Sequence, residues 1–184
     1  MNYGKHCAVT LAAAAFLAAG AVTTSSATAT PAAGQRGALA SFEHRQIDLS
    51  RGWGEARACG VWRTRDGVAC FRTVAELDRH AALVERGADR ADPRARCASP
   101  LQLGQDENMK GRVLRFYDRG SWQNLGAYGF NDETSAYRTG ACTAHLARDA
   151  NGGGNWYPGY TGPNHTEIRL LSGWNDEITS LKID

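Results

Sequence analysis

The chain contains no apolar run long enough to span a bilayer. Its longest, Ala8 to Val22, is mostly alanine and covers 15 residues, where about 20 are needed. It has little net charge, +2 over 184 residues, and 3 Lys against 18 Arg, so no nucleic-acid partner is expected. There is no glycine-rich phosphate loop, no paired-histidine zinc motif and no nucleophile elbow. These absences remove the commonest signatures of nucleotide, zinc-hydrolase and serine-hydrolase chemistry. The chain has 42% hydrophobic and 22% charged residues, which is ordinary for a globular protein of one domain plus a small appendage. Twenty-one Gly, with aromatics spread along the C-terminal half, favour turns and strands over helices.

The apolar run has a different reading. Lys5 and His6 precede it, and Ala27-Thr28-Ala29 follows as an A-x-A cleavage site. That layout predicts a secretory signal peptide over 1–29, a secreted mature chain and no membrane attachment after cleavage. Cys59, Cys70, Cys97 and Cys142 then remain, and in an exported chain four cysteines imply two disulfides. Cys59 and Cys70 flank an Asp66-Gly67 turn, so a hairpin over 57–72 would join them and leave Cys97 to pair with Cys142.

Residues 30–56 lack a clear period and are expected to form a linker or arm. After the hairpin, Thr73 and Glu76 form a capping-box pair. Val74, Leu77, Ala81 and Val84 follow at helical spacing, with Gly87 as a stop. Residues 57–96 therefore read as a hairpin–helix appendage that ends in a charged connector with Pro93.

From 97 to 184 the pattern is short strands and glycine turns, and it repeats. Gly129-Phe130-Asn131-Asp132-Glu133-Thr134-Ser135-Ala136-Tyr137 recurs 44 residues later as Gly173-Trp174-Asn175-Asp176-Glu177-Ile178-Thr179-Ser180-Leu181. Upstream, Met109-Lys110-Gly111 and Tyr157-Pro158-Gly159 form a second correspondence. Two such units predict a mainly β fold, two Greek keys packed as a sandwich.

The doubled pattern Asn/Asp-Asn/Asp-x-x-Ser/Thr-Ser resembles the calcium-binding βγ-crystallin family. Asn175 to Ser180 matches it throughout, and Asn131 to Ala136 departs at the last place. The family's aromatic-x4-aromatic-x-Gly hairpin is degraded here, with Gly104 and Met109 ahead of Gly111. The resemblance implies up to two Ca2+ ions of modest affinity. Carried over, the ligands are the carbonyls of Glu133 and Glu177, the hydroxyls of Ser135 and Thr179, and the side chains of Asp132 and Asp176 reaching across between motifs. Asn131 and Asn175 would shape the loops or act as outer ligands. The same residues also suit plain turns closed by side-chain to backbone hydrogen bonds.

A chain of this size with two disulfides also resembles secreted actinobacterial metalloproteinase-inhibitor proteins, which are crystallin-like. That implies a non-catalytic, monomeric inhibitor of an extracellular peptidase. The glycine-rich run 151–160, with Trp156, Tyr157 and Tyr160, is the candidate partner loop; alternatively Trp156 and Tyr157 pack inward. A structural or envelope protein binding cell-wall glycan is the second expectation. A hydrolase using His145 or His165 is the third.

Overall fold

Eleven strands and one α-helix occur among the residues that the computed structural model describes, 37–63, 66–87 and 96–184. The expected signal peptide and residues 88–95 of the connector lie outside them. The segment 30–56, expected as a linker or arm, carries a hairpin in its described part. Strands β1 (Leu39–Phe42) and β2 (Arg45–Asp48) pair antiparallel across Glu43 and His44. Both turn residues have positive φ, 46° and 63°, which hairpins usually assign to Asn or Gly. A Glu-His turn gives no sequence signal. The apolar alternation is equally short: of β1, only Ala40 and Phe42 are buried.

Strands β3 (Ala58–Trp62) and β4 (Gly67–Phe71) form the expected second hairpin. Its register sets Cys59 opposite Cys70, and the two are disulfide-bonded. Helix α1 (Val74–Arg86) follows, with both halves of the Thr73–Glu76 capping box made. Its Leu77 and Ala81 pack onto Ala58, Trp62 and Tyr117. The His80 ring on this helix lies 5.3 Å from the Trp62 ring and 5.1 Å from the Phe71 ring.

The first repeat supplies β5 (Arg96–Asp106), β6 (Lys110–Asp118), β7 (Gln123–Asn124) and β8 (Ala136–Arg138). The second supplies β9 (Ala144–Ala147), a single bridge at Trp156, β10 (Thr166–Glu167) and β11 (Ser180–Ile183). One sheet runs β10-β8-β5-β6-β3-β4-β1-β2; the other runs β7-β11-β9. In each repeat the fourth strand returns beside the first, as a Greek key requires. The third strand of each repeat crosses to the sheet of the other. The expected pair of Greek keys is therefore present and interlocked.

The N-terminal strands continue the first sheet, because β3 lies parallel to β6. They are a sheet extension rather than a separate appendage. Phe42, Leu49 and Trp53 from this extension join Leu103, Phe116, Phe130 and Tyr137 from the first repeat and Leu146, Trp174 and Ile178 from the second in one core. The Cys97–Cys142 disulfide joins the first strand of one repeat to the approach of the other. Two disulfides suit an oxidising environment. Among the described residues, no helix is long and apolar enough to cross a membrane.

Candidate metal centre

The two copies of the motif lie in loops that precede β8 and β11, and they face each other. Asp132 and Asp176 adopt left-handed backbone, at φ 53° and 56°, a conformation that Asp tolerates better than most residues. The Asp132 amide donates to the Ile178 carbonyl and the Asp176 amide to the Thr134 carbonyl, each at 3.1 Å. With the backbones cross-linked, the side chains cross as well. Ser135 Oγ donates to Asp176 Oδ1 at 3.3 Å, and Thr179 Oγ1 to Asp132 Oδ1 at 3.2 Å. Asn131 and Asn175 each donate to the outer oxygen of the following Asp at 2.6 Å, fixing its rotamer.

Each hydroxyl–carboxylate pair is thus drawn from both repeats. Among the described residues, no hydrogen bond is donated to the Glu133 or Glu177 carbonyl. A hydroxyl, a carboxylate oxygen and a free carbonyl are hard-oxygen donors of the kind calcium takes. The carboxylates of Asp132 and Asp176 are exposed. Those of Asp106 and Glu133 join them, with Gln105 and Ser135, around a cleft of about 200 Å³. No group of three or more His, Cys, Asp and Glu side chains with metal-holding geometry occurs among the described residues. An ion here would rely on mixed oxygen donors.

The expected match of Met109-Lys110-Gly111 to Tyr157-Pro158-Gly159 is wrong. The structural equivalents are Asp106-Glu107-Asn108-Met109-Lys110-Gly111 and Asp149-Ala150-Asn151-Gly152-Gly153-Gly154. Asn108 and Asn151 take φ 58° and 57°, and Gly111 and Gly154 take 69° and 66°. At either glycine an added Cβ would meet the carboxylate of the leading Asp at 2.6 Å. The shared Asp-x-Asn-x-x-Gly spacing was the available signal, and it also points to Asp106 beside the first loop.

The repeats differ in one tie. Ser180 Oγ accepts from the Gly152 amide at 2.9 Å and donates to the Asp149 carbonyl at 2.6 Å, binding the second hairpin to its motif. Ala136 has no hydroxyl to do the same for the first.

No family model matches the chain, and no curated protein sequence matches it. Solved structures similar to it include a βγ-crystallin from Ciona intestinalis, at 21% identity over 47% of this chain and 100% of that one, with a TM-score of 0.39. A βγ-crystallin domain from Flavobacterium johnsoniae is 27% identical over 46% of this chain and 92% of that one, with a TM-score of 0.36. A clostrillin double mutant in complex with nickel is 20% identical over 47% and 98%, with a TM-score of 0.39. In this chain the third strands of the two Greek keys are exchanged between the sheets.

The fold of the second repeat divides the candidate partner-loop aromatics. Tyr157 is buried between Tyr137 and Trp174 and accepts from the Leu171 amide through its hydroxyl, so it belongs to the core. Trp156 remains 51% exposed and Tyr160 64%. The Trp156 ring neighbours Trp122 at 5.4 Å and His145 at 4.9 Å, and its Nε1 donates to the Gly152 carbonyl.

Neither proposed histidine meets a nucleophile. His145 Nε2 hydrogen-bonds Asp184, whose carboxyl Lys182 first and His145 second hold below the usual carboxylate range. His165 Nε2 lies 3.7 Å from Glu167. Among the described residues, no hydroxyl or thiol hydrogen-bonds either ring.

Proposed function

We propose that the chain is a secreted, non-catalytic, calcium-stabilised protein in which two Ca2+ ions pin the Greek keys together. The observation that carries this is the reciprocal crossing of Ser135 to Asp176 and Thr179 to Asp132. Ser135, Asp176 and the Glu133 carbonyl would hold one ion; Thr179, Asp132 and the Glu177 carbonyl would hold the other. Calcium would supply the positive charge that draws these oxygens together. With one Asp carboxylate at each site, dissociation constants on the order of micromolar to millimolar follow. Calorimetric titration with Ca2+ tests the reading. Two sites are expected in the parent and none in the Asp132→Ala, Asp176→Ala double variant; a flat parent titration would refute it.

For the partner, an extracellular peptidase is the first reading, and a preordered loop supports it. Asn151 exchanges two hydrogen bonds with Asn124, and Gly152 and Gly153 donate to Ser180 and Ala150. These bonds limit the freedom that three consecutive glycines would otherwise give, and a rigid loop lowers the entropic cost of docking. Trp156 is its exposed anchor. A cell-wall glycan is the second reading, supported by Trp122 beside Trp156, because adjacent aromatic faces can stack on sugar rings. Residual-activity titrations against thermolysin-like, subtilisin-like and trypsin-like enzymes decide between them. Inhibition lost in Trp156→Ala supports the first. Full enzyme activity with co-sedimentation on insoluble peptidoglycan or chitin supports the second, and neither result ends both.

A further inference from the structure

The two ion-binding loops are braced differently, and the first is braced by the N-terminal extension. Gly129, two residues before Asn131, has φ 60°, and an added Cβ there would meet the Leu49 carbonyl at 2.1 Å. The extension backbone thus rests directly on the start of the first motif. Trp53 Nε1 donates to the Tyr128 carbonyl at 2.7 Å, and its ring tilts against Phe130 at 5.7 Å.

Arg112 connects this contact to the loop. Its guanidinium lies 4.9 Å from the Trp53 ring and 5.5 Å from the Phe130 ring, a cation–π arrangement. It donates to the Gly129 carbonyl at 3.3 Å and pairs with the Glu133 carboxylate. Gln105 Nε2 donates to the same carboxylate oxygen at 2.9 Å, and Gln105 Oε1 in turn accepts from Arg112 Nε at 3.2 Å. Glu133 is the third residue of the motif, so anchoring its side chain, together with the Arg112 bond to the Gly129 carbonyl, restricts the backbone segment that carries the Glu133 carbonyl.

The second loop has a thinner version. Arg148 lies 4.4 Å from the Trp174 ring, donates to the Gly173 carbonyl and comes within 3.9 Å of Glu177. Among the described residues, no extension covers it. The Arg148 and Glu177 side chains are 35% and 52% exposed, against 14% and 35% for Arg112 and Glu133. The second loop has the Ser180 tie in compensation, which the first lacks.

We propose that Arg112, held under Trp53 of the N-terminal extension, is the positioning residue of the first ion site and takes the place of the serine tie missing at Ala136. The proposal rests on the calcium reading and adds a site-specific role for the extension. Outer partners of metal ligands commonly govern affinity without touching the ion.

Calorimetric Ca2+ titrations of the full chain separate the two ideas. Asp132→Asn leaves the first site, because Asp132 serves the second; Asp176→Asn leaves the second. Arg112→Gln is expected to weaken calcium binding about tenfold in the Asp132→Asn background and to leave the Asp176→Asn background unchanged. Arg112→Lys, which keeps the charge but loses the fork, should fall between. Trp53→Phe keeps a ring over Arg112 and removes the bond to Tyr128; it should show the same one-sided loss and decides the matter if Arg112→Gln does not fold. Weakening of both sites alike, or of neither, overturns the proposal while calcium binding stands. Absence of binding in the parent and in both single-site variants overturns the calcium reading and the proposal together.

Discussion

Ser135 donates its hydroxyl to Asp176, 41 residues further along the chain, and Thr179 returns the contact to Asp132 across 47 residues. Neither repeat completes such a hydroxyl–carboxylate pair alone. An ion at either place would bridge the two halves of the sandwich, so its effect should be read most directly in stability.

The parent protein should melt several degrees higher in millimolar Ca2+ than in chelator. A ligand confined to the folded state adds about 2.7 kcal/mol at a hundredfold excess over its dissociation constant. Asp132→Ala with Asp176→Ala should remove most of this difference and leave a folded sandwich, because both carboxylates are exposed. Differential scanning calorimetry with and without calcium checks both statements.

The two disulfides should differ in weight. Cys97–Cys142 closes a loop of 45 residues and Cys59–Cys70 one of 11. On the chain-entropy account these contribute about 4 and about 3 kcal/mol. Replacing Cys97 and Cys142 with Ser should therefore lower the urea midpoint more than replacing Cys59 and Cys70. The reverse order would mean that strand pairing in the extension depends on its staple.

Gly129→Ala should cost about 2 kcal/mol or more. The residue must leave its left-handed backbone or strain it, and the new methyl must displace the Leu49 carbonyl. Limited proteolysis should then cut the extension first. Unchanged stability and protection would show that the extension is not seated on Gly129.

Stability should fall as pH rises beyond about 10. Burial raises the phenol pKa of Tyr117, Tyr128, Tyr137 and Tyr157 above the ordinary value of about 10. A group raised in the folded state contributes fully below its unfolded pKa and loses that contribution as pH climbs through its folded one. Denaturant midpoints should stay level from about pH 8 to near pH 10 and fall from there to about pH 11, with tyrosinate absorbance appearing as the chain unfolds.

Much of the domain was legible because its signals are local or periodic. The capping box at Thr73 and Glu76, the turn between Cys59 and Cys70, and the doubled Asn-Asp motif each sit within a few residues of chain. The extension was hidden because its turn, Glu43-His44, lacks turn-forming residues and its buried alternation is only Ala40 and Phe42. The hairpin equivalence was misassigned because the Tyr157 region offered an aromatic where the true partner, Gly152, has no side chain. Arg112 was invisible for another reason. Its partners, Trp53, Phe130 and Glu133, come together only after three separate stretches of chain have docked.

The parallel pairing of β3 with β6 joins Ala58 to Val113 and Val61 to Phe116, and it places a kinetic constraint on the two motif loops. Such long-range pairings form late and slowly, since loop closure precedes any gain from contact. The crossing of Ser135 to Asp176 is non-local too and is expected to form on the native side of the folding barrier. Contacts absent from the transition state act on the unfolding rate. Calcium should therefore leave the refolding rate nearly unchanged and lengthen the lifetime of the folded protein, a gain in kinetic stability.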